Sequence, residues 1–215
     1  MKTFPQPVQC AKGFSGVVAV LTTMTACASG PGEGSPEQPR MTTAVSAPDF
    51  ATVKELAQQS SIYVRGEVGE VISRELDDGG LGEQSAVQLP VKFVALTVTQ
   101  SSNADVAPVG AVVPILWSDF GSEVQSEQTS DLRQGADVLV FAESLTTQDA
   151  PGIQTVPEFL VPIGGENGVF DIQQGFATAR SSMLRGLATA STKQGGRFRA
   201  EVDRLTATAN SVLAR

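Results

Sequence analysis

Ile62-Tyr-Val-Arg-Gly-Glu-Val-Gly-Glu-Val-Ile72 decides the fold class. Ile62, Val64, Val68 and Ile72 stand in phase at even positions, with Arg65, Glu67 and Gly69 between them. That is the period of a strand with one buried face. Gly66, in the middle of the run, marks a bend or bulge. Val94, Leu96 and Val98 repeat the alternation, with Ala95, Thr97 and Thr99 on the other side. The loop between these two runs, Glu75-Leu-Asp-Asp-Gly-Gly-Leu-Gly-Glu83, carries Asp78-Gly79 as a turn signal.

Four more strands follow outward. Val112-Val-Pro-Ile-Leu-Trp117 reads as an edge or bulged strand, because Pro114 has no amide to donate. Leu132-Arg-Gln-Gly135 is a turn whose glycine supplies the left-handed conformer, and it feeds the continuous apolar run Val138-Leu-Val-Phe141. Phe159 to Ile163 and Val169 to Ile172 complete the set, and Asn167-Gly168 between them predicts a hairpin. The expected fold is mainly β: about five to six short strands making a small closed or partly open barrel.

A helix is expected on each side of the strands. Phe50, Val53, Leu56 and Ala57 form one stripe of Asp49–Gln59, with Asp49 placed to cap the first amides. Phe198, Val202, Leu205, Ala209 and Val212 form a second stripe, which predicts an amphipathic helix over about 197–213.

The chain has 215 residues, 23 acidic and 15 basic side chains and no histidine. Without histidine, the usual general base, serine or cysteine activator and zinc ligand is missing. The acidic balance disfavours nucleic acid as a partner. The charge is unevenly placed: residues 176–215 hold seven basic and two acidic side chains, and residues 49–175 hold five basic and nineteen acidic. Arg197, Arg199 and Arg204 are therefore candidates for contact with an anionic surface, the alternative being that the terminal helix simply packs on the acidic body. Glu75, Asp77, Asp78 and Glu83 lack the alternating spacing of a calcium loop. No metal or cofactor is expected. Trp117, beside Ser118 and Asp119 at a strand end, is the one candidate stacking platform for a sugar or peptide, against a core-packing role.

The first thirty residues have the three parts of an export signal: Lys2 and Lys12, an apolar run from Phe14 through Leu21, then small residues around Cys27. The apolar part is shorter than the roughly 20 residues of a membrane-spanning helix. Met24-Thr25-Ala26-Cys27 resembles a bacterial lipobox, with Met24 standing where leucine is usual. The resemblance implies recognition of Met24, Thr25 and Ala26 by a signal peptidase, diacylglycerol on the Cys27 thiol and cleavage before it. Ala26-Cys27-Ala28 also fits an ordinary secretory cut. Cys10 lies in the part removed, which leaves Cys27 without a partner. From Ala28 to Pro48 the chain is rich in Gly, Pro and Ser and reads as a tether.

A second resemblance covers about residues 50 to 175. The order of a short helix, Val64-Arg-Gly-Glu-Val68, Val94-Ala-Leu-Thr-Val98, Leu132-x-x-Gly135 and Gly-x-x-Gly-Val-Phe170 is similar to that of uncharacterised bacterial envelope lipoproteins with an OB-like barrel. It implies an extracytoplasmic binding module and no catalytic residues. The resulting division is a signal at 1–26, lipid-attachment Cys27 and tether at 27–48, a barrel at 49–175 and a basic extension at 176–215. Two functional classes follow. One is a lipid-anchored, non-enzymatic binding or scaffold protein on the outer side of the cell membrane, or its secreted equivalent, engaging an envelope protein or glycan. The other is a glycan hydrolase, which needs two carboxyl groups about 5 to 9.5 Å apart across a pocket.

Overall fold

The computed structural model describes residues 50–80, 88–119, 131–189 and 196–214, which belong to one unit, Ala47–Arg215. Its elements in chain order are α1 (Val53–Gln59), β1 (Ile62–Asp77), β2 (Leu89–Ser101), β3 (Val112–Ser118), β4 (Asp137–Thr146), β5 (Glu158–Pro162), β6 (Val169–Gln173), β7 (Phe176–Ala179), β8 (Arg199–Glu201) and α2 (Val202–Leu213). The fold is mainly β, as expected. The strands form one eight-stranded sheet in the order β1-β2-β3-β5-β4-β6-β7-β8, and an added β1–β4 pairing closes the first five into a ring.

The closure is uneven. β1 and β4 pair antiparallel from Ile62↔Ala142 to Glu67↔Asp137, whereas β3 and β5 meet through the single parallel pair Ile115↔Leu160. Alternation along each strand fills the ring: Val64, Val94, Leu96, Ile115, Trp117, Val138, Val140 and Leu160 belong to one buried cluster. The opposite faces of the same strands are also apolar and need cover. Tyr63, Leu139, Phe141 and Phe170 lie under α1 and α2, and Val91, Phe93 and Phe159 lie under Ile153 and Val156 of the β4–β5 connection. Cover on both faces explains why β4 reads as a continuous apolar run rather than a clean alternation.

β1 departs from its expected phase at one end. Val68 lies opposite Leu96 and Ser73 opposite Phe93, so β1 spends two more residues than β2 over that interval. Two bulges result. Val71 takes the place opposite Val94 and packs against the ring cluster, while Ile72, expected on the buried face, is 48% exposed. A bulge was expected at Gly66, and a register shift does occur between Arg65 and Gly66. A side chain there would collide with the Thr97 carbonyl and the Leu96 side chain. The strand also runs on through Glu75 to Asp77, which the sequence placed in a loop.

β4 changes partner along its length. Its Ala142–Thr146 half pairs with β5, and its Val138–Val140 part pairs with β6. β5 and β6 therefore follow one another along the same side of β4 and do not pair as a hairpin. The hairpin expected at Asn167-Gly168 is instead a single turn of 3-10 helix, Gly165–Gly168, entered through Gly164 in the left-handed conformation. Gly168 is buried, and a Cβ on it would stand 2.7 Å from the Ile163 carbonyl oxygen and 2.8 Å from that of Phe141.

The sheet continues through Gly175, where the sequence suggested a boundary. β7 pairs with β6, and Arg199–Glu201 pairs with β7 as a three-residue edge. The terminal helix consequently starts at Val202 rather than near 197. Its stripe is as expected: Val202, Leu205 and Ala209 are buried, and Phe198 and Val212 pack against the same cluster. In α1 the stripe Phe50, Val53, Leu56 and Ala57 is buried too. The cap is Thr52 rather than Asp49, which lies outside the described residues. Thr52 Oγ1 accepts from the Glu55 amide while Glu55 Oε2 accepts from the Thr52 amide, a reciprocal capping box.

Candidate functional site

Apolar interiors exclude cations unless they are paired, so the two most deeply buried charges locate the polar centre of the body. Lys92 of β2 and Arg180, just after β7, are each 6% exposed. Lys92 Nζ lies 2.7 Å from Asp131 Oδ1 and 3.5 Å from Asp119 Oδ1. Asp119 Oδ2 in turn accepts from Arg74 Nε at 2.9 Å. Arg180 reaches Asp171 Oδ1 through Nη2 at 2.8 Å and Nε at 3.1 Å, and donates from Nη1 to the Asp131 main-chain oxygen at 3.2 Å.

The chain order explains the assembly. Asp119 closes β3 and Asp131 precedes β4, so the two carboxylates around Lys92 stand at either end of the β3–β4 connection. Arg74 comes from β1, Asp171 from β6 and Arg180 from the end of β7. Three cations meet three carboxylates, and each is held by at least one partner. Such a network binds its own ends together. In this state it presents neither an unpaired nucleophile nor an unpaired acid.

A second charged contact lies across the β1–β4 seam. Arg65 Nη2 is 2.6 Å from Asp137 Oδ2, with Nε within 3.2 Å of both carboxylate oxygens. The hydrogen bond to Asp137 holds the Arg65 guanidinium above its ordinary pKa, burial opposes this, and the charges of Asp137 and Asp203 add to it.

The expected site residues fall in different places. Cys27, Met24, Thr25 and Ala26 lie outside the described residues, as do the tether and Glu83. Trp117 is 7% exposed within the ring cluster, where it packs with aliphatic side chains. Glu75 accepts from the Gln154 amide and the Thr155 hydroxyl. Asp77 and Asp78 accept from the Gly79 and Gly80 amides, the local bonding of a turn. Among the described residues no group of three or more Cys, Asp or Glu is placed to hold a metal ion. Arg197, Arg199 and Arg204 are all exposed, and the Arg199 guanidinium carbon sits 4.1 Å above the Phe176 ring.

No protein-family model, curated protein or solved structure matches this chain.

The sequence reading overlooked Lys92 and Arg180. A signal for Lys92 was available: it interrupts the apolar run Val91-Lys-Phe-Val94, and a lone charge in a buried strand requires a counter-charge. Arg180 follows Ala177-Thr-Ala179, a stretch too short and too small in side chain to be recognised as a strand.

Proposed function

We propose that this chain is a lipid-anchored binding or scaffold protein on the extracytoplasmic side of a bacterial membrane, attached through Cys27. The observation that carries this reading is Met24-Thr25-Ala26-Cys27, placed after an apolar run and before a Gly-, Pro- and Ser-rich stretch that leads into the folded unit. Cys27 then has no disulfide partner, and lipidation gives that thiol a use. One acyl chain alone anchors marginally, so the two chains of a diacylglyceryl group are what would hold the body stably.

Eight of the described carboxylates are committed to structural bonds, which weighs for binding over hydrolysis at those positions. Asp119, Asp131, Asp137 and Asp171 neutralise cations, Glu55 caps a helix, Glu75 bonds to the β4–β5 connection, and Asp77 and Asp78 bond within their own turn. Groups committed in this way are poor candidates for an acid and a base facing one substrate. Arg197, Arg199 and Arg204 supply exposed positive charge for an anionic envelope partner.

The test is the intact mass of the protein recovered from expressing bacteria, with fatty-acid labelling. A chain beginning at Cys27 and carrying a diacylglyceryl group is expected, with label and membrane association both lost in Cys27→Ser. An unlabelled chain beginning at Ser29 in the medium would overturn the anchor.

A further inference from the structure

The sheet ends in an edge whose charges are arranged to meet themselves. β8 is the last strand in the order, and among the described residues no strand pairs with its far side, whereas β1 at the other end is taken into the ring. The Ala179 amide bonds to the Phe198 carbonyl and the Val202 amide to the Gly175 carbonyl. These two bonds fix the alternation along the strand: Phe198, Ala200 and Val202 turn their main-chain groups toward β7, and Arg199 and Glu201 turn theirs outward. Arg197, Arg199, Glu201 and Asp203 are all exposed, and none of them forms an ion pair among the described residues.

Arg197-Phe-Arg-Ala-Glu-Val-Asp203 is a charge palindrome of inverted sign about Ala200. We propose that β8 pairs with β8 of a second copy of this chain about a twofold axis at Ala200. Laid antiparallel with the two Ala200 residues opposite, Arg199 of each copy faces Glu201 of the other on one face of the joined sheet. The hydrogen bonds agree with that register. Each Glu201 amide meets the Arg199 carbonyl of the other copy, and each Arg199 amide meets the second lone pair of a Glu201 carbonyl whose first is taken by α2, which Glu201 caps. A slip of two residues sets Arg199 against Arg199 or Glu201 against Glu201, and a slip of one sets outward groups against groups already bonded to β7. Charges on an edge strand ordinarily guard it, but a guard against self-pairing carries one sign, and this edge carries both in mirrored order. The Phe176 ring beneath the Arg199 guanidinium holds that cation in place on the outer face. Each copy offers this edge once, so association closes at a dimer. Three residues a side bury far less than the roughly 1,000 Å² of a stable interface, so the dimer forms at about 0.1 mM and above. The pairing needs no lipid and goes beyond the anchor reading.

The test is sedimentation velocity of the full chain carrying Cys10→Ser and Cys27→Ser, so that neither a disulfide nor a lipid joins two copies, over about 10 µM to 1 mM. A dimer is expected toward the upper end. Arg199→Glu and Glu201→Arg each set like charges opposite one another and should each weaken association about tenfold or more. Mixing those two variants restores opposite charges across the axis, as does placing both substitutions in one chain, and both preparations should recover the dimer. A chain that stays monomeric at the top of the range would overturn the pairing. So would association that ignores the two reversals, mixed variants that stay apart, or growth past the dimer as concentration rises. Circular dichroism of each variant confirms that the exposed substitutions leave the fold in place.

Discussion

Arg65 of β1 and Asp137 of β4 make a forked ion pair across the seam that closes the strand ring, with Nη2 to Oδ2 at 2.6 Å. Both side chains are partly open to solvent, so screening limits the contribution. Asp137→Asn should cost about 1 kcal/mol in urea unfolding, and less in high salt. The raised pKa of Arg65 has a defined sign: its stabilisation is complete below the unfolded arginine pKa and is lost only as pH rises through the still higher folded value. From the arginine side the pair is therefore constant across the neutral range.

Lys92 should be far more sensitive to losing both partners than one. Asp131→Ala leaves Asp119, and Asp119→Ala leaves Asp131, so each single change is expected to cost about 1 kcal/mol. The double variant strands a buried ammonium and should cost about 3 to 5 kcal/mol, more than the singles combined. Adding Lys92→Met to the double variant should recover much of the loss, because a methionine of similar length leaves no charge to neutralise. Equilibrium unfolding of the four proteins provides the comparison. Strict additivity would show that the two carboxylates act independently.

Gly168→Ala separates crowding from backbone strain. The added methyl would press on two carbonyl oxygens that belong to backbone, so neither neighbour can rotate away. A loss of about 3 kcal/mol is expected. Gly110→Ala is the control: its φ is +86° but the space around it is open. There only conformational strain applies, about 1 to 2 kcal/mol. Urea midpoints at constant slope would rank the two.

Asp149 offers a pH test in an exposed loop. The Thr146 hydroxyl, and then the Thr146 amide, hold its carboxyl below the ordinary aspartate value. A depressed pKa contributes stability above the unfolded value and loses it as pH falls through the folded one. Thr146→Val removes the hydroxyl and keeps the amide, so the NMR titration midpoint of Asp149 should move up part of the way to its ordinary value. An unmoved midpoint would assign the whole shift to the amide.

Thr52→Ala should remove the Thr52 half of the reciprocal cap of α1, at a cost of about 1 kcal/mol. Because α1 packs beside α2 on one face of the sheet, protection of the Val202–Leu213 amides should fall with that of α1. Loss confined to α1 would mean that the helices are held independently.

What the sequence made legible was local and periodic. Val64 and Leu96 announce their buried face through alternation, and Phe50 with Leu56 through helical spacing. Ile72 misled because bulges depend on a partner strand far away in the chain, and two inserted residues change the face without changing the pattern. Asn167-Gly168 misled because a turn dipeptide shows that the chain bends but not which strand it meets next. β7 and β8 were missed because four- and three-residue strands exist only by virtue of the sheet edge that receives them. The salt network was hidden for a related reason: Asp119, Asp131 and Arg180 are remote from Lys92 in sequence, and their meeting is a property of the closed ring.

β4 is the strand shared by everything else, bonded to β1 on one side and to β5 and then β6 on the other. Freeing its amides to deuterium requires both the ring and the open wing of β6, β7 and β8 to come apart. The wing needs only to peel from the Val138–Val140 part of β4. Val138–Ala142 should therefore be the last protons surrendered by the molecule, exchanging only through global opening, while Phe176–Ala179 and Arg199–Glu201 exchange through a partial detachment that leaves the ring closed.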